Sequence, residues 1–174
     1  PGLLYERLRW RRKKNRLDGA LEILNKKPDE LNYTAKWWRE RSYLVRRALK
    51  DGHITNAYKI AAEHKLKAGS DFAEGEWLAG WIAFKFLNDR NAALSHFQKL
   101  YETSKYPISK ARGAYWAART SQKLRTQTLR DMSESSIWLK KAAEYPLTYY
   151  GQLAFFQLNK KKITFSISSE KKFK

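Results

Sequence analysis

Apolar residues recur at intervals of three and four along almost the whole chain. Leu17, Ala20, Leu21 and Leu24 form one such set, Ile54, Ala57, Tyr58 and Ala61 a second, and Ala93, Leu94, Phe97, Leu100 and Tyr101 a third. This spacing gathers apolar side chains on one face of an α-helix and leaves the other face to water. Between the sets stand residues that stop or start helices: Pro28, Asp51-Gly52, Gly69-Ser70-Asp71, Asn88-Asp89, Pro107 and Pro146. The pattern predicts helices over residues 3–14, 18–26, 32–50, 55–66, 72–88, 90–103, 109–123, 134–144 and 147–158. Asp71 and Glu74 have the spacing of a capping box just ahead of the apolar run at Trp77, which places Asp71 as the cap of the fifth helix. That helix carries Trp77, Leu78, Trp81, Ile82, Phe84 and Phe86 around nearly its whole circumference, so it is expected in the middle of the fold. Gly80 costs such a helix about 1 kcal/mol against Ala, a loss that close approach by a neighbouring helix would offset.

The three apolar sets superpose. Ala20, Ala57 and Ala93 are separated by 37 and then 36 residues, and each is followed by an apolar or aromatic residue and by an apolar or small residue four positions on. A period in the mid-thirties belongs to helix-turn-helix repeats, in which each hairpin buries its apolar face on the next. Trp77, Ala93 and Phe97 also reproduce offsets of the tetratricopeptide pattern, although Gly80-Trp81 stands where that pattern has Leu-Gly. The expected fold is therefore all-α: a right-handed superhelix, or solenoid, of degenerate tetratricopeptide-like hairpins over residues 1–158. The Lys- and Ser-rich tail, 159–174, is expected to be poorly ordered.

Composition supports this class and narrows the function. The 174 residues include only 8 Gly and 4 Pro, too few for the turns of an all-β fold, and the 43% hydrophobic content is ample for a core. No apolar run approaches the roughly 20 residues of a membrane span; the longest, Trp77 to Phe84, is far shorter. With no Cys, disulfides, thiolate metal sites and a Cys nucleophile are excluded. The chain does not begin with Met and shows no leader, as expected of a trimmed product or a fragment. The charge is the strongest signal: 36 Lys and Arg against 17 Asp and Glu leave a net of +19, which calls for an anionic partner such as nucleic acid, an acidic membrane surface or a cell-wall polymer.

The candidate site is a cationic ridge. Arg7, Arg9, Arg11, Arg12, Lys13, Lys14 and Arg16 fall within ten residues around Trp10, a combination suited to carboxylates and sugar rings, or to phosphates and stacked bases. Arg39, Arg41, Arg46, Arg47 and Lys50 form a second patch, with Arg41 expected on the buried side of its helix and paired with Glu40 or another carboxylate. Most tryptophans are expected in the core, leaving Trp10 and one of Trp37 and Trp38 for an exposed platform. His53, His64 and His96 lie far apart with no ligand-type partner at helical spacing, so no metal site is expected. No Gly-rich phosphate loop and no nucleophile elbow is present, so neither a cofactor nor hydrolase chemistry is expected.

Four segments then read together: WWRER at Trp37 to Arg41, FAEGEWLAGWIAFKFL at Phe72 to Leu87, ISKARGAYWAART at Ile108 to Thr120, and YPLTYYGQLA at Tyr145 to Ala154. In this order and spacing they resemble the superhelical domain of soluble lytic murein transglycosylases, over residues 3–158. The resemblance implies a periplasmic protein of cell-wall turnover whose partner is peptidoglycan, with a lysozyme-like catalytic domain following the superhelix. In that domain a Glu within an E-S-x-[FRN] motif, followed by G-L-M-Q, protonates the glycosidic oxygen. Here the only Glu-Ser pair is Glu134-Ser135, inside a superhelix hairpin and without the second motif, so no catalytic residue carries over. The stretch Ala117 to Arg130, within WAARTSQKLRTQTLRD, departs from the family's small-residue helices and Gly turn, so looser packing is expected of the last full hairpin. The expectation is a non-catalytic superhelical region, inactive alone, that binds or positions glycan strands, with a catalytic domain encoded downstream as a possible partner. The rival readings are a helical-repeat adaptor with a peptide groove and, less favoured, a basic nucleic-acid-binding repeat protein.

Overall fold

A computed structural model describes residues 2–25, 34–122 and 129–159. Among them are nine α-helices and no strand: α1 (Gly2–Lys13), α2 (Leu17–Asn25), α3 (Thr34–Lys50), α4 (Ile54–Ala62), α5 (Gly69–Ile82), α6 (Arg90–Thr103), α7 (Pro107–Gln122), α8 (Leu129–Ala143) and α9 (Tyr149–Asn159). The fold is all-α. Its main packing contacts join chain neighbours, from α3 against α4 through to α8 against α9, with next-but-one contacts between α1 and α3, α3 and α5, and α7 and α9. Of the expected tail 159–174, Asn159 is the last residue of α9 and 160–174 lie outside the described residues, as does much of the atypical stretch after Gln122.

Short signals set the helix ends. Asn15 and Asn88 adopt positive φ of 56° and 54°, closing α1 and the end of the α5 segment in the left-handed conformation that Asn tolerates. Asp89 caps α6 by accepting from the Ala92 N–H at 3.0 Å. Thr148 does the same for α9, its Oγ1 accepting from the Gly151 N–H at 3.1 Å.

The fifth helix departs from expectation at both ends. It starts at Gly69, whose φ of +91° turns the chain, so Asp71 lies in the first turn and is not the cap. There its charge still complements the helix dipole. Glu74, expected to close a capping box, points away to Trp38 and Arg46. At the other end the α-helix passes at Ala83 into a π turn running to Leu87.

Two clusters of buried side chains fill the interior, one spanning Leu8 to Ile82 and the other Ala83 to Ala154, and Tyr58 and Trp77 pack against both. The α5 segment contributes to each cluster, as its all-round apolarity requires. Gly80 fits the expected close approach: a Cβ there would stand 2.7 Å from the Phe97 ring. Trp37 and Trp38 are 3% and 2% exposed, so neither offers the expected platform. Both indoles are consumed because α3 has α1, α4 and α5 packed around it.

Candidate functional site

The ridge on α1 divides into braces and a free edge. Arg11 reaches across to α2, where Nη1 donates to the Gly19 carbonyl and to Glu22 Oε2 at 3.0 Å. Arg12 reaches α3, donating to the carboxylate of Glu40, which is 3% exposed, and lying 4.9 Å over the Tyr43 ring. A buried carboxylate left without its cation would be costly, so Arg12 is occupied in holding α1 to α3. The same pair explains Glu40, which the sequence offered to Arg41. Arg41 is indeed buried, and its guanidinium donates to the Ile60 carbonyl at 3.3 Å. Burial lowers its pKa, and the charge of Glu63 acts in the opposite sense.

The remaining residues of the ridge face solvent. Trp10 is 48% exposed, and the Arg16 guanidinium lies 5.2 Å over its ring. Arg7, Lys13 and Lys14 are exposed beside it, and Arg9 makes an open contact of 3.6 Å with Glu6. An ion pair so exposed is worth little and does not compete with a bound polyanion. The geometry is thus a half-open indole with a cation on its ring and further cations around it. Such an edge can stack on a sugar face while pairing with carboxylates.

Of the second patch, Arg39, Arg46 and Lys50 are exposed, while Arg47 bonds Asp51 at 2.6 Å. Between α3 and α5 lies a cleft of about 260 Å³ lined by Lys36, Trp38, Arg39, Ser42, Asp71 and Glu74. It mixes two cations with two carboxylates. The indole N–H of Trp38 donates to Glu74 Oε2 at 3.0 Å and Arg46 pairs with Oε1, which holds that carboxylate below its ordinary pKa although burial pushes the other way. The cleft lacks both an open aromatic face and an excess of one charge, so it suits a polyanion less well than the α1 edge.

A buried polar cluster that was not among the expected sites lies where α4, α5 and α6 meet. His64, before α5, and His96, on α6, converge on Glu76 of α5, whose side chain is 1% exposed. His64 Nε2 lies 3.1 Å from Oε1 and His96 Nδ1 lies 2.6 Å from Oε2, while Lys99 adds an ion pair to Oε1. The Leu66 N–H donates to His64 Nδ1 at 2.9 Å, so Nε2 of that ring carries the proton given to Glu76. Tyr58 Oη, 3.2 Å from His96 Nε2, completes the chain. The ionised carboxylate of Glu76 can only accept, so His96 donates through Nδ1 and its Nε2 is left to accept from the Tyr58 hydroxyl, whose pKa burial raises. Burial alone would push the Glu76 pKa up, but the hydrogen bonds from His64, His96 and Lys99 outweigh it and hold the group far below the ordinary carboxylate range. With both carboxyl oxygens held by protein donors and the side chain 1% exposed, Glu76 braces α4, α5 and α6 and is not placed to act as a catalytic acid.

Among the described residues no group of three or more His, Cys, Asp and Glu could hold a metal ion, and no helix is long and apolar enough to cross a membrane. Glu134 lies half-buried on α8 beside the buried Ser135. Neither a family model, nor a curated protein, nor a solved structure matches the chain.

Proposed function

We propose that the chain is a non-catalytic superhelical region of a soluble lytic murein transglycosylase, acting in the periplasm to bind or position the glycan strands of peptidoglycan. The observation that carries this reading is the α1 edge, a half-exposed Trp10 stacked under Arg16 and flanked by Arg7, Arg9, Lys13 and Lys14. Peptidoglycan presents both of the chemistries this edge can use, apolar sugar faces and regularly spaced carboxylates. The motif resemblance favours the same partner. WWRER lies on α3, ISKARGAYWAART on α7, and YPLTYYGQLA runs from the α8–α9 turn into α9. Neighbour-to-neighbour helix packing is compatible with a right-handed superhelix of tetratricopeptide-like hairpins, which is part of the proposal.

Sedimentation with purified sacculi tests it. The full chain should co-sediment, and Trp10→Ala combined with Lys13→Gln and Lys14→Gln should release it while leaving the helical signal unchanged. Arg11 and Arg12 are unsuitable probes, because their loss would loosen α1 from α2 and α3. Retention of the triple variant at the level of the parent chain would refute the assignment of this edge.

A further inference from the structure

Two loops carry the same four-residue pattern: Tyr106-Pro107-Ile108-Ser109 at the start of α7 and Tyr145-Pro146-Leu147-Thr148 just before α9. Both lie where an odd-numbered helix follows an even-numbered one, which places them on the same edge of the helix array. In each, the aliphatic residue after Pro is turned outward, Ile108 being 68% and Leu147 86% exposed. Tyr106 at 62% and Tyr149 at 70% extend the row. Tyr101 ties the two loops together: its hydroxyl pairs with Tyr145, and its ring lies 5.0 Å from the Lys110 amine and 5.3 Å from that of Lys141. With Lys105 and Lys140, exposed nearby, four lysines stand against the carboxylates of Glu102 and Glu144, so cations prevail along the edge as they do in the whole chain.

We infer that this edge docks on an anionic lipid bilayer, with Tyr106, Ile108, Leu147 and Tyr149 entering the boundary between headgroups and acyl chains and the lysines reaching lipid phosphates. Charge complementarity identifies the surface, and the form of the edge favours a bilayer over a protein. The apolar side chains project from two loop tips separated by lysines, whereas a partner helix or a second copy needs a continuous apolar face. Projecting aliphatic and aromatic groups beside long cationic stems are what an interface between water and lipid accommodates.

The loop backbone is prepared for low dielectric as well. Pro107 and Pro146 have no N–H to desolvate. Thr148 satisfies its turn internally, its Oγ1 donating to the Tyr145 carbonyl at 2.8 Å and its N–H donating to the same oxygen at 3.0 Å. The attachment is peripheral, as no described helix is long and apolar enough to cross a membrane. It does not rest on the glycan reading, which concerns a different part of the chain, α1.

Flotation of the full chain with phosphatidylcholine vesicles, with and without about 30% phosphatidylglycerol, tests the inference. Binding should require the anionic lipid, and Ile108→Ser with Leu147→Ser should weaken it about tenfold at unchanged charge and unchanged melting temperature. A second variant, Arg7→Gln with Lys13→Gln and Lys14→Gln, should float with the vesicles nearly as well as the parent chain. The inference is overturned by absence of binding to anionic vesicles, or by a serine variant that binds undiminished. It is equally overturned if sedimentation shows a lipid-free dimer that the serine variant converts to a monomer, since the edge would then pair with a second copy.

Discussion

Replacing Glu76 by Ala removes the acceptor shared by His64, His96 and Lys99 and leaves their donors around a small void. Breaking a buried, hydrogen-bonded charge pair by removing one partner costs about 3–5 kcal/mol. Because the Lys99 side chain is 56% exposed and can return its charge to water, the lower figure, about 3 kcal/mol, applies. For a chain of this length each kcal/mol moves the melting temperature by about 2–4 °C, so Glu76→Ala should melt about 6–12 °C below the parent chain. Glu76→Gln keeps one carbonyl for His64 and Lys99, and a tautomer change lets His96 accept from its amide. Its loss should be about half as large. The pH dependence has a fixed sign: the folded-state pKa of Glu76 is depressed below the ordinary 4.5, so its contribution is present above the unfolded carboxylate pKa and is lost as pH falls below it. Thermal melts followed by circular dichroism at pH 5 and at pH 3 should show the gap between the parent chain and Glu76→Ala narrowing at the lower pH. Melting within 2 °C of the parent chain for both variants at pH 5, or a gap that widens at pH 3, would refute the brace.

Gly113→Ala should lower the urea midpoint by the equivalent of about 1–3 kcal/mol at constant slope, because the new Cβ would stand 2.9 Å from the Phe97 carbonyl oxygen and the Tyr101 nitrogen in the α6 backbone. Gly151→Ala should unseat α9, its Cβ falling 2.0 Å from the Tyr145 carbonyl oxygen; limited proteolysis should then release the C-terminal helix while α1 to α7 persist. Small-angle scattering should give a radius of gyration above the globular value of about 16 Å if the hairpins form a superhelix, and a value at 16 Å would mean a compact bundle. Incubation with murein should yield no anhydro-muropeptides, and their appearance with loss in Glu134→Gln would show that the Glu134-Ser135 pair is catalytic after all.

The helices were legible because their apolar spacing and their stop signals agree, as at Asp51-Gly52 and Asn88-Asp89, where the turn residues adopt the conformations they favour. The start of α5 was misplaced by a competing signal. Gly69 makes the turn through its positive φ, and the capping-box spacing of Asp71 and Glu74 is used for other contacts. Trp37 and Trp38 could not be separated into buried and exposed from adjacency alone, since a helix with neighbours on several sides buries consecutive residues. The α1 ridge was legible as composition. Which cations are braces was not, because Arg12 meets Glu40 only after α1 packs on α3. The Glu76 cluster was invisible for the same reason: its donors come from separate elements, and His64 and His96 have no local partner that would single them out. The only available signal was a charged residue in the apolar run before Trp77, which predicts a buried carboxylate in need of donors but does not say from where.

Competition between polyanions decides whether the α1 edge takes glycan or phosphate. The full chain is bound to purified sacculi at physiological ionic strength, challenged with RNA, and the affinity for each is followed over a range of salt. Neutralising phosphates on a nucleic acid gives a steep fall of log affinity with log salt, whereas sparser carboxylates and an indole stacked on sugar give a shallow one. The chain should stay on sacculi in excess RNA with a shallow salt slope, and Trp10→Ala should weaken that binding. Transfer to RNA, with a steep slope indifferent to Trp10, would contradict it and make the α1 edge a phosphate-binding surface.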